Sequence, residues 1–425
     1  MKRLRASHVV LLMLSLLYFI TYLDRVNVST AAAGFAGEFR LDKTEIGLVF
    51  SAFAYPYLLF QIIGGWVSDR FGAHGTLIGS GIIWAGATVL TGMAGGLVSL
   101  LLARVLLGFG EGASFPAATA AMSRWVPRDR RGYAQGITHA AARIGNAAAP
   151  TAIVVVMASY GWRQSFYACA ALSFLWVILW ALTFTELPKD HPRISAEELA
   201  QLPASHAERV SVPWGPLFKR MVPVTIVYFC YGWTLWLFLS WIPQYFLHSY
   251  HLDLARSAMF ASAVFLAGVA GDTLGGIVTD RLLRRTGDLR RARSWMVAAC
   301  MLLSALAMVP LMLTHGLAAS VLGLSGGFFF AEMTIGPMWA IPMDVAPAYS
   351  GTASGMMNTG SALAAISSPV VSGYLIDRYG SWQLPFLVTM ILMGMAVILA
   401  FRMRPESRFQ AGVPLGAAAR VPAQP

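Results

Sequence analysis

The sequence predicts an all-α polytopic membrane protein in which twelve transmembrane helices form two six-helix halves. Of its 425 residues, 57% are hydrophobic and only 12% are charged, whereas a soluble protein carries about 25% charged residues. The apolar residues fall in separate runs of about 20, the length that an α-helix needs to cross a bilayer. Motifs that return in the same order in the second half of the chain indicate an internal duplication.

Twelve apolar runs are long enough to cross a bilayer, and we number them as spans 1 to 12 in chain order. Their approximate boundaries are 8–30, 44–67, 76–96, 98–123, 132–157, 162–184, 221–247, 256–279, 294–313, 316–343, 351–376 and 381–403. The first run resembles a secretory signal, but Asp24 and Arg25 separate its apolar residues from the small residues that follow. We therefore expect it to remain as an uncleaved span.

The net charge of +11 comes from basic residues that are concentrated in alternate loops. Loops after odd-numbered spans hold only Arg40, Lys43, Arg163, Arg256 and Arg378. The termini and the loops after even-numbered spans hold Lys2, Arg3, Arg5, Arg70, Arg124, Arg128, Arg130, Arg131, Lys219, Arg220, Arg281, Arg284, Arg285, Arg290, Arg291, Arg293, Arg402 and Arg404. This asymmetry is the positive-inside bias, and it predicts that both termini are cytoplasmic. Nucleic-acid binding is disfavoured, because these residues are dispersed along one membrane face.

The duplication divides the chain into two halves of similar length. GWVSDR at Gly65–Arg70 returns as GIVTDR at Gly276–Arg281, and WVPRDRRGYAQG at Trp125–Gly136 parallels DVAPAYSGTASG at Asp344–Gly355. We predict four regions: an N-terminal half at 1–184, a cytoplasmic linker at 185–220, a C-terminal half at 221–403 and a cytoplasmic tail at 404–425. Within the polar linker, Ser195 and Glu198 predict a capping box for a short helix.

Five charged residues interrupt runs that should lie in lipid. They are Asp24 and Arg25 in span 1, Arg104 and Glu111 in span 4, and Arg143 in span 5. An ionised group at bilayer depth is costly unless it is paired or hydrated, so such residues usually mark a path for ions or substrate. Both signs of charge occur in one half, which is what a carrier that couples protons to an anion would need.

Four segments resemble a known family of carriers. GGWVSDRFG after span 2 is similar to the signature loop of the major facilitator superfamily. The anion:cation symporter branch of that family is similar to this chain at YLDRVNVS in span 1, GFGEGASFP in span 4 and LWLFLSWIPQYF in span 7. One departure is Ala73-His74-Gly75, which stands where basic residues usually continue the signature loop.

The resemblance implies the major facilitator fold, in which two halves rock around a central cavity. It also implies a bacterial-type inner membrane, Asp24 as a proton carrier, and Arg25 as an anion or ion-pair partner. Adjacent residues diverge by about 100° around a helix, so we expect Asp24 and Arg25 to face different partners.

Arg104 and Glu111 are seven residues apart in span 4, so they project from one helix face at a separation of about 10 Å. That separation is too large for direct contact, and Gly108 between them leaves room for a ligand or a facing helix. We expect Glu111 to be a proton-coupling acid with Asp24, and Arg104 to bind substrate. Competition between substrate and carboxylate for one arginine would link proton binding to substrate binding.

His139 and Arg143 are spaced i, i+4 and share one face of span 5. Members of the family often have a glutamine near Ala142, where this chain has no amide. Arg143 is either a second anion clamp or a residue that packs toward the cytoplasmic end. His139 is a candidate substrate contact and proton relay, although a lone histidine is more often simply hydrogen-bonded.

Five uncharged side chains complete the candidate substrate site: Tyr22, Tyr57, Trp339, Asn358 and Ser361. The resemblance implies that the tyrosine, tryptophan and asparagine positions line a sugar-acid pocket. A single tyrosine or tryptophan is equally consistent with an interfacial belt or with helix packing. Asn358 is better supported, because a buried amide needs partners and a polyhydroxy ligand supplies them.

Further charged residues are expected to have secondary or gating roles. Glu332 is a secondary acid, because it precedes Trp339 by seven residues and so shares its helix face. Asp272 lies among glycines and is expected to pair locally. Charges at the ends of spans 2 and 8 are expected to pair when the cytoplasmic side is closed and to separate when it opens; these are Asp69, Arg70, Asp280 and Arg281.

These observations predict a transporter rather than an enzyme, which imports a small organic anion by proton symport. Sugar acids such as hexuronates, aldonates or aldarates are the favoured substrates, and aromatic or sulfonated carboxylates are the alternative. An organophosphate antiporter is disfavoured because span 7 has no arginine, and a transporter-like sensor because Asp24 and Glu111 are present. No cofactor or metal site is expected, since the proton gradient supplies the energy. The expected partners are the anion, protons and the bilayer, and the expected functional unit is a monomer.

Overall fold

The computed structural model describes residues 5–41, 43–203, 211–252, 254–314 and 316–409. These residues form helices and connecting loops with no β-strand among them. The predicted linker is therefore described except for 204–210, and the predicted tail is described only as far as Phe409.

The twelve predicted spans are all present as helices. Eleven are long and apolar enough to cross a bilayer, and the twelfth is a shorter apolar helix. Spans 1 to 6 contain the helices Ala6–Thr30, Lys43–Ala52 with Ala54–Phe71, Ala73–Gly92, Leu97–Gly112 with Ser114–Trp125, Arg131–Tyr160, and Trp162–Thr183. Spans 7 to 12 contain Trp214–Ser249, Leu254–Thr286, Met296–Leu313, Leu317–Glu332 with Ile335–Val345, Ser350–Tyr379, and Leu384–Ala400. Two short helices, Ala32–Phe39 and Ala196–Gln201, lie outside the spans.

Spans 4 and 10 are each interrupted next to a buried acid. The first helix of span 4 ends one residue after Glu111, and the first helix of span 10 ends at Glu332. Backbone that departs from a regular helix at membrane depth is tolerated where it is buried in protein or lines a cavity. The interruptions therefore mark the interior of the bundle as the place where polar groups are gathered.

The two halves touch where backbones approach closely. A Cβ atom added to Gly65 of span 2 would overlap the carbonyl oxygen of Gly351 in span 11. The duplicated positions repeat this contact, since a Cβ atom on Gly276 of span 8 would overlap the carbonyl oxygen of Gly132 in span 5. Small residues at such crossings allow helices in lipid to pack backbone against backbone.

Two aspartates fasten these crossings at the end of the bundle where the basic loops lie, which we call the basic face. The Asp69 carboxylate accepts the N–H groups of Gly351 at 2.9 Å and Thr352 at 2.6 Å, in the first turn of span 11. The Asp280 carboxylate accepts those of Gly132 at 3.0 Å and Tyr133 at 2.5 Å, in the first turn of span 5. A carboxylate is stabilised at a helix N-terminus by free N–H groups and by the helix dipole.

The arginines next to these aspartates do not take part in the closure. Arg70 and Arg281 are exposed, and within the described residues neither forms an ion pair with Asp69 or Asp280. The expected pairing of charged side chains is thus replaced by pairing of each aspartate with a helix N-terminus of the opposite half. Arg293 adds a cation to one side, with its Nη1 3.1 Å from Asp280.

The linker helix holds the start of span 1. Ser195 caps this helix by accepting the N–H of Glu198 at 3.1 Å, which is one half of the predicted capping box; the Glu198 side chain binds the start of span 1 instead of the backbone of Ser195. The Glu198 carboxylate accepts hydrogen bonds from the Ser7 N–H at 2.8 Å, the Ser7 hydroxyl at 2.6 Å and the Ala6 N–H at 3.2 Å. Burial opposes ionisation of this group, but the hydrogen bonds prevail and hold the pKa of Glu198 below its usual range.

Replacing Gly65 with valine should open the crossing between spans 2 and 11. Because the added side chain overlaps backbone of the opposite half, we expect a loss of about 1–3 kcal/mol in the stability of the closed state and a lower melting temperature in detergent. Gly79→Val is the matched control, because a Cβ atom there meets nothing within 4 Å. Equal melting temperatures for the two variants would contradict the close packing described here.

Candidate functional site

A small cavity of about 30 Å³ lies between the two halves. It has room for about two water molecules, so any larger ligand requires its walls to move apart. The lining side chains come from spans 1, 2, 4 and 5 and from spans 7, 10 and 11, and they are Tyr22, Arg25, Tyr57, Phe115, His139, Arg143, Tyr228, Tyr231, Leu235, Trp236, Trp339, Asn358, Ser361 and Ala362. Eight of the nine predicted substrate-binding residues are in this set.

Arg25 brings a positive charge to the cavity wall and is paired with Glu111 behind it. Its Nε lies 2.7 Å from Oε2 of Glu111, whose side chain is fully buried. The guanidinium also faces the rings of Tyr57 at 4.7 Å and Tyr22 at 5.0 Å, contacts that stabilise a cation through the ring quadrupole. Nη2 of Arg25 and Oε1 of Glu111 have no hydrogen-bond partner among the described residues, so both groups retain capacity for a ligand or a proton.

Arg104 lies outside the cavity, in contrast to its predicted role in substrate binding. Its guanidinium is 5.2 Å from the ring of Phe53, which lies between the two helices of span 2. Gly108 packs against Phe53 and Pro56, so the space on this helix face is filled by a neighbouring helix. Arg104 lies two helical turns before Glu111 in span 4, and at that level of the helix it is beyond the cavity.

Asp24 faces away from the cavity into the N-terminal half. Its Oδ2 lies 3.3 Å from the Ser173 hydroxyl and 3.5 Å from the Thr88 hydroxyl, and Oδ1 has no hydrogen-bond partner within the described residues. The divergence of Asp24 and Arg25 around the helix is as predicted. Asp24 is therefore a buried carboxyl with weak partners, one residue away from the cation that lines the cavity.

Arg143 also lines the cavity, and it joins the two halves. Its Nη2 lies 3.0 Å from Oε2 of Glu332 and 3.1 Å from the Tyr231 hydroxyl. Its Nε lies 3.7 Å from Oδ2 of Asp272, a residue of span 8. Of the two placements that the sequence left open, Arg143 has the one that lines the cavity. Asp272 pairs across the halves, whereas local pairing was expected.

His139 is hydrogen-bonded within its own helix. Its Nδ1 is 2.8 Å from the carbonyl oxygen of Gln135, so Nδ1 carries the proton and Nε2 remains an acceptor in the neutral ring. The ring lies 5.1 Å from that of Trp339, and Trp339 donates its indole N–H to the Tyr228 hydroxyl at 2.7 Å. These contacts hold the aromatic wall in a fixed shape.

Asn358 crosses the boundary between the halves as well. Its Nδ2 donates to Oε1 of Gln61 at 2.8 Å and to the Tyr57 hydroxyl at 3.4 Å. Ser361, one turn further along span 11, packs beside Gly232 of span 7. The buried amide of Asn358 is therefore hydrogen-bonded to side chains of span 2. Ser361 contributes a hydroxyl to the same wall of the cavity.

Six lining residues were not predicted from the sequence: Phe115, Tyr228, Tyr231, Leu235, Trp236 and Ala362. All are aromatic or apolar, and within a chain of apolar spans such residues do not stand out. A signal was available in span 7, because Tyr228, Tyr231 and Leu235 are spaced i, i+3 and i+7 and therefore share one helix face.

Comparison with known proteins gives one family and a set of transporters. The family model described as Major Facilitator Superfamily matches residues 14–369. A protein of Cupriavidus necator described as a probable sulfoacetate transporter is 44% identical over 409 residues, 95% of each chain. A protein of Escherichia coli described as a probable galactarate/D-glucarate transporter is 29% identical over 407 residues, 90% of each chain.

Solved structures with the same fold are far more distant in sequence. The crystal structure of a proton:xylose symporter superposes with a TM-score of 0.75 at 14% identity and covers 93% of this chain and 95% of that one. At that identity the likeness supports the fold alone. The family and these relatives are transporters rather than enzymes.

The Arg25–Glu111 pair should behave as a buried unit in a double-mutant cycle. Arg25→Gln or Glu111→Gln alone leaves one buried charge without its partner, a change that typically costs about 3–5 kcal/mol. The double variant should be more stable than the sum of the single effects predicts, as measured by melting in detergent.

The exposed Arg163–Glu38 pair is the matched control for this cycle, since exposed pairs contribute about 1 kcal/mol or less. Strictly additive effects at Arg25 and Glu111 would contradict their direct pairing.

Proposed function

Because this chain belongs to the major facilitator superfamily, we propose that it imports a small organic anion together with protons. The observation that carries the proposal is the Arg25–Glu111 ion pair at the wall of the cavity between the halves. An arginine that both faces a cavity and is bound by an internal carboxylate is a site where an external anion and that carboxylate compete.

The competition supplies a mechanism for coupling. When an anion binds the Arg25 guanidinium, Glu111 loses its ion-pair partner in a fully buried position. A buried carboxylate without a partner is unstable, so it binds a proton instead. When the anion leaves, Arg25 again attracts Glu111 and favours the ionised form, and the proton is released. Anion and proton thus bind together and leave together.

Asp24 is the second proton carrier in this proposal. It lies next to Arg25 in the chain, is 3% exposed, and accepts long hydrogen bonds from the Ser173 and Thr88 hydroxyls. A carboxyl in that setting favours the protonated form. Its position supports a route by which protons pass through the interior of the N-terminal half.

The basic face fixes the orientation of the protein in the membrane in this proposal. The positive-inside bias supports a cytoplasmic location for this face and for both termini, in a bacterial-type inner membrane. Asp69 and Asp280 fasten the two halves together there. Release of the anion to the cytoplasm would require both aspartates to leave the helix N-termini that they bind, by rocking of one half on the other.

We propose sulfonated carboxylates as the leading substrate class, ahead of the sugar acids that the sequence alone favoured. The relative at 44% identity is described as a probable sulfoacetate transporter. Such a molecule carries two anionic groups, and two guanidinium groups line this small cavity. Those of Arg25 and Arg143 lie 5.0 Å and 5.7 Å from the Tyr22 ring, so a short ligand that replaces their internal partners can contact both.

Sugar acids are the second candidate. Asn358 and Ser361 in the cavity wall supply polar groups that could bind hydroxyls, and a relative at 29% identity is described as a probable galactarate/D-glucarate transporter. They rank second because this relative is the less similar of the two.

Uptake into proteoliposomes tests the proposal directly. We expect an inward proton gradient to drive accumulation of sulfoacetate, with glucarate and a phosphate ester as competitors of lower potency. Glu111→Gln should strongly reduce gradient-driven accumulation but retain exchange of labelled for unlabelled sulfoacetate, because the neutral amide cannot release a proton.

Retained exchange would show that the Glu111→Gln variant is folded and still binds the substrate. If accumulation by the wild type is independent of the proton gradient, proton symport is contradicted. If Glu111→Gln accumulates sulfoacetate as fully as the wild type under the gradient, the role of Glu111 is contradicted.

A further inference from the structure

A second group of buried charges lies in the C-terminal half, behind Arg143. Asp272 of span 8 and Glu332 of span 10 are both fully buried, and the Glu332 side chain packs against Gly271, the residue that precedes Asp272. Arg143 is the cation that contacts them, at 3.0 Å from Glu332 and 3.7 Å from Asp272. Two carboxylates and one guanidinium would leave a net negative charge in the bilayer interior.

The neighbours of this group do not supply the missing positive charge. Among the described residues, the titratable side chains that face it are Tyr231 and Tyr228 from span 7, His139 from span 5 and Tyr22 from span 1. The tyrosines are neutral donors, and His139 already donates its Nδ1 proton to Gln135. Neither oxygen of Asp272 accepts a hydrogen bond from the described residues.

We propose that Asp272 and Glu332 form a second proton-binding site, in the C-terminal half, which Arg143 links to the substrate. Two carboxyl groups that share one buried site cannot both remain ionised. One proton therefore stays between them, on Asp272, which lacks donors of its own. Glu332, which accepts from Arg143 and Tyr231, is the ionised partner when the cavity holds no anion.

The link to transport operates through competition for Arg143, and it rests on the function proposed above. An anionic group that binds Arg143 from the cavity draws the guanidinium away from Glu332. Glu332 then lacks its counter-ion in a fully buried position and takes up a proton from water on the side to which the cavity is open. When the anion leaves, Arg143 returns to Glu332 and that proton departs to the other side.

The site adds one proton per cycle to those carried by the N-terminal half. A substrate with two anionic groups would engage Arg25 with one group and Arg143 with the other, so each anionic group would be accompanied by its own proton. Each half would then contain one carboxylate that is released from an arginine by the ligand, namely Glu111 in spans 1 to 6 and Glu332 in spans 7 to 12.

Proton uptake on ligand binding tests this inference. Sulfoacetate would be titrated calorimetrically into the purified full-length protein in buffers of different ionisation enthalpy, which gives the number of protons taken up per bound ligand. Glu332→Gln combined with Asp272→Asn should lower that number by about one relative to Asp272→Asn alone at the same pH, as linkage requires, because Asp272 could otherwise ionise in place of Glu332. Asp272→Asn should leave it unchanged, because the amide resembles the permanently protonated acid.

Glu197→Gln, at an exposed position of the linker helix, is the matched control and should equal the wild type. The amides of this double variant can still hydrogen-bond to Tyr231 and Arg143, so it is expected to fold. If it does not fold, Glu332→Met combined with Asp272→Asn is expected to lower the proton number in the same way. An undiminished proton number in a folded double variant that binds sulfoacetate overturns this site alone. Binding to the wild type without any proton uptake overturns proton symport itself.

Discussion

The Arg25–Glu111 ion pair is the interaction on which the account depends. It places a guanidinium at the wall of a cavity and a fully buried carboxylate directly behind it. A charge at that depth is tolerated only while it is paired. In the proposed mechanism, an anion that binds Arg25 therefore changes the protonation of the protein. Aromatic rings around Arg25 stabilise the cation without competing for its hydrogen bonds.

The internal duplication accounts for how the cavity is closed at the basic face. Asp69 and Asp280 occupy equivalent positions, and each binds the first backbone N–H groups of a helix in the opposite half. Each lies one helical turn beyond a crossing of glycines. Hydrogen bonds to helix ends can be broken and remade as rigid bodies move, whereas the helices themselves stay intact. In the proposed mechanism, the same pair of contacts closes this face and is broken when it opens.

The fold and most of the cavity wall could be predicted from the sequence because the relevant signals are local. Apolar length defines the spans, and a charged residue inside one is conspicuous, as Arg25 and Arg143 were. The partner of a charged side chain, in contrast, cannot be recognised from the residues next to it in the sequence. Glu111 pairs with Arg25 and not with Arg104, and Asp272 contacts Arg143 of the opposite half. Both contacts depend on how separate helices cross. Aromatic residues such as Tyr231 were missed because nothing in an apolar span distinguishes a lining residue from a packing one.

Infrared difference spectroscopy on the purified protein would test the central claim most directly, because it observes the carboxyl group itself. Adding sulfoacetate should produce the stretching band of a newly protonated buried carboxyl group, together with loss of a carboxylate band. Part of that signal should be absent from Glu111→Gln and present in Glu197→Gln. A ligand that binds Arg25 without protonating Glu111 would give identical spectra in Glu111→Gln and the wild type, and that result would contradict the exchange of an anion for a carboxylate on which the mechanism rests.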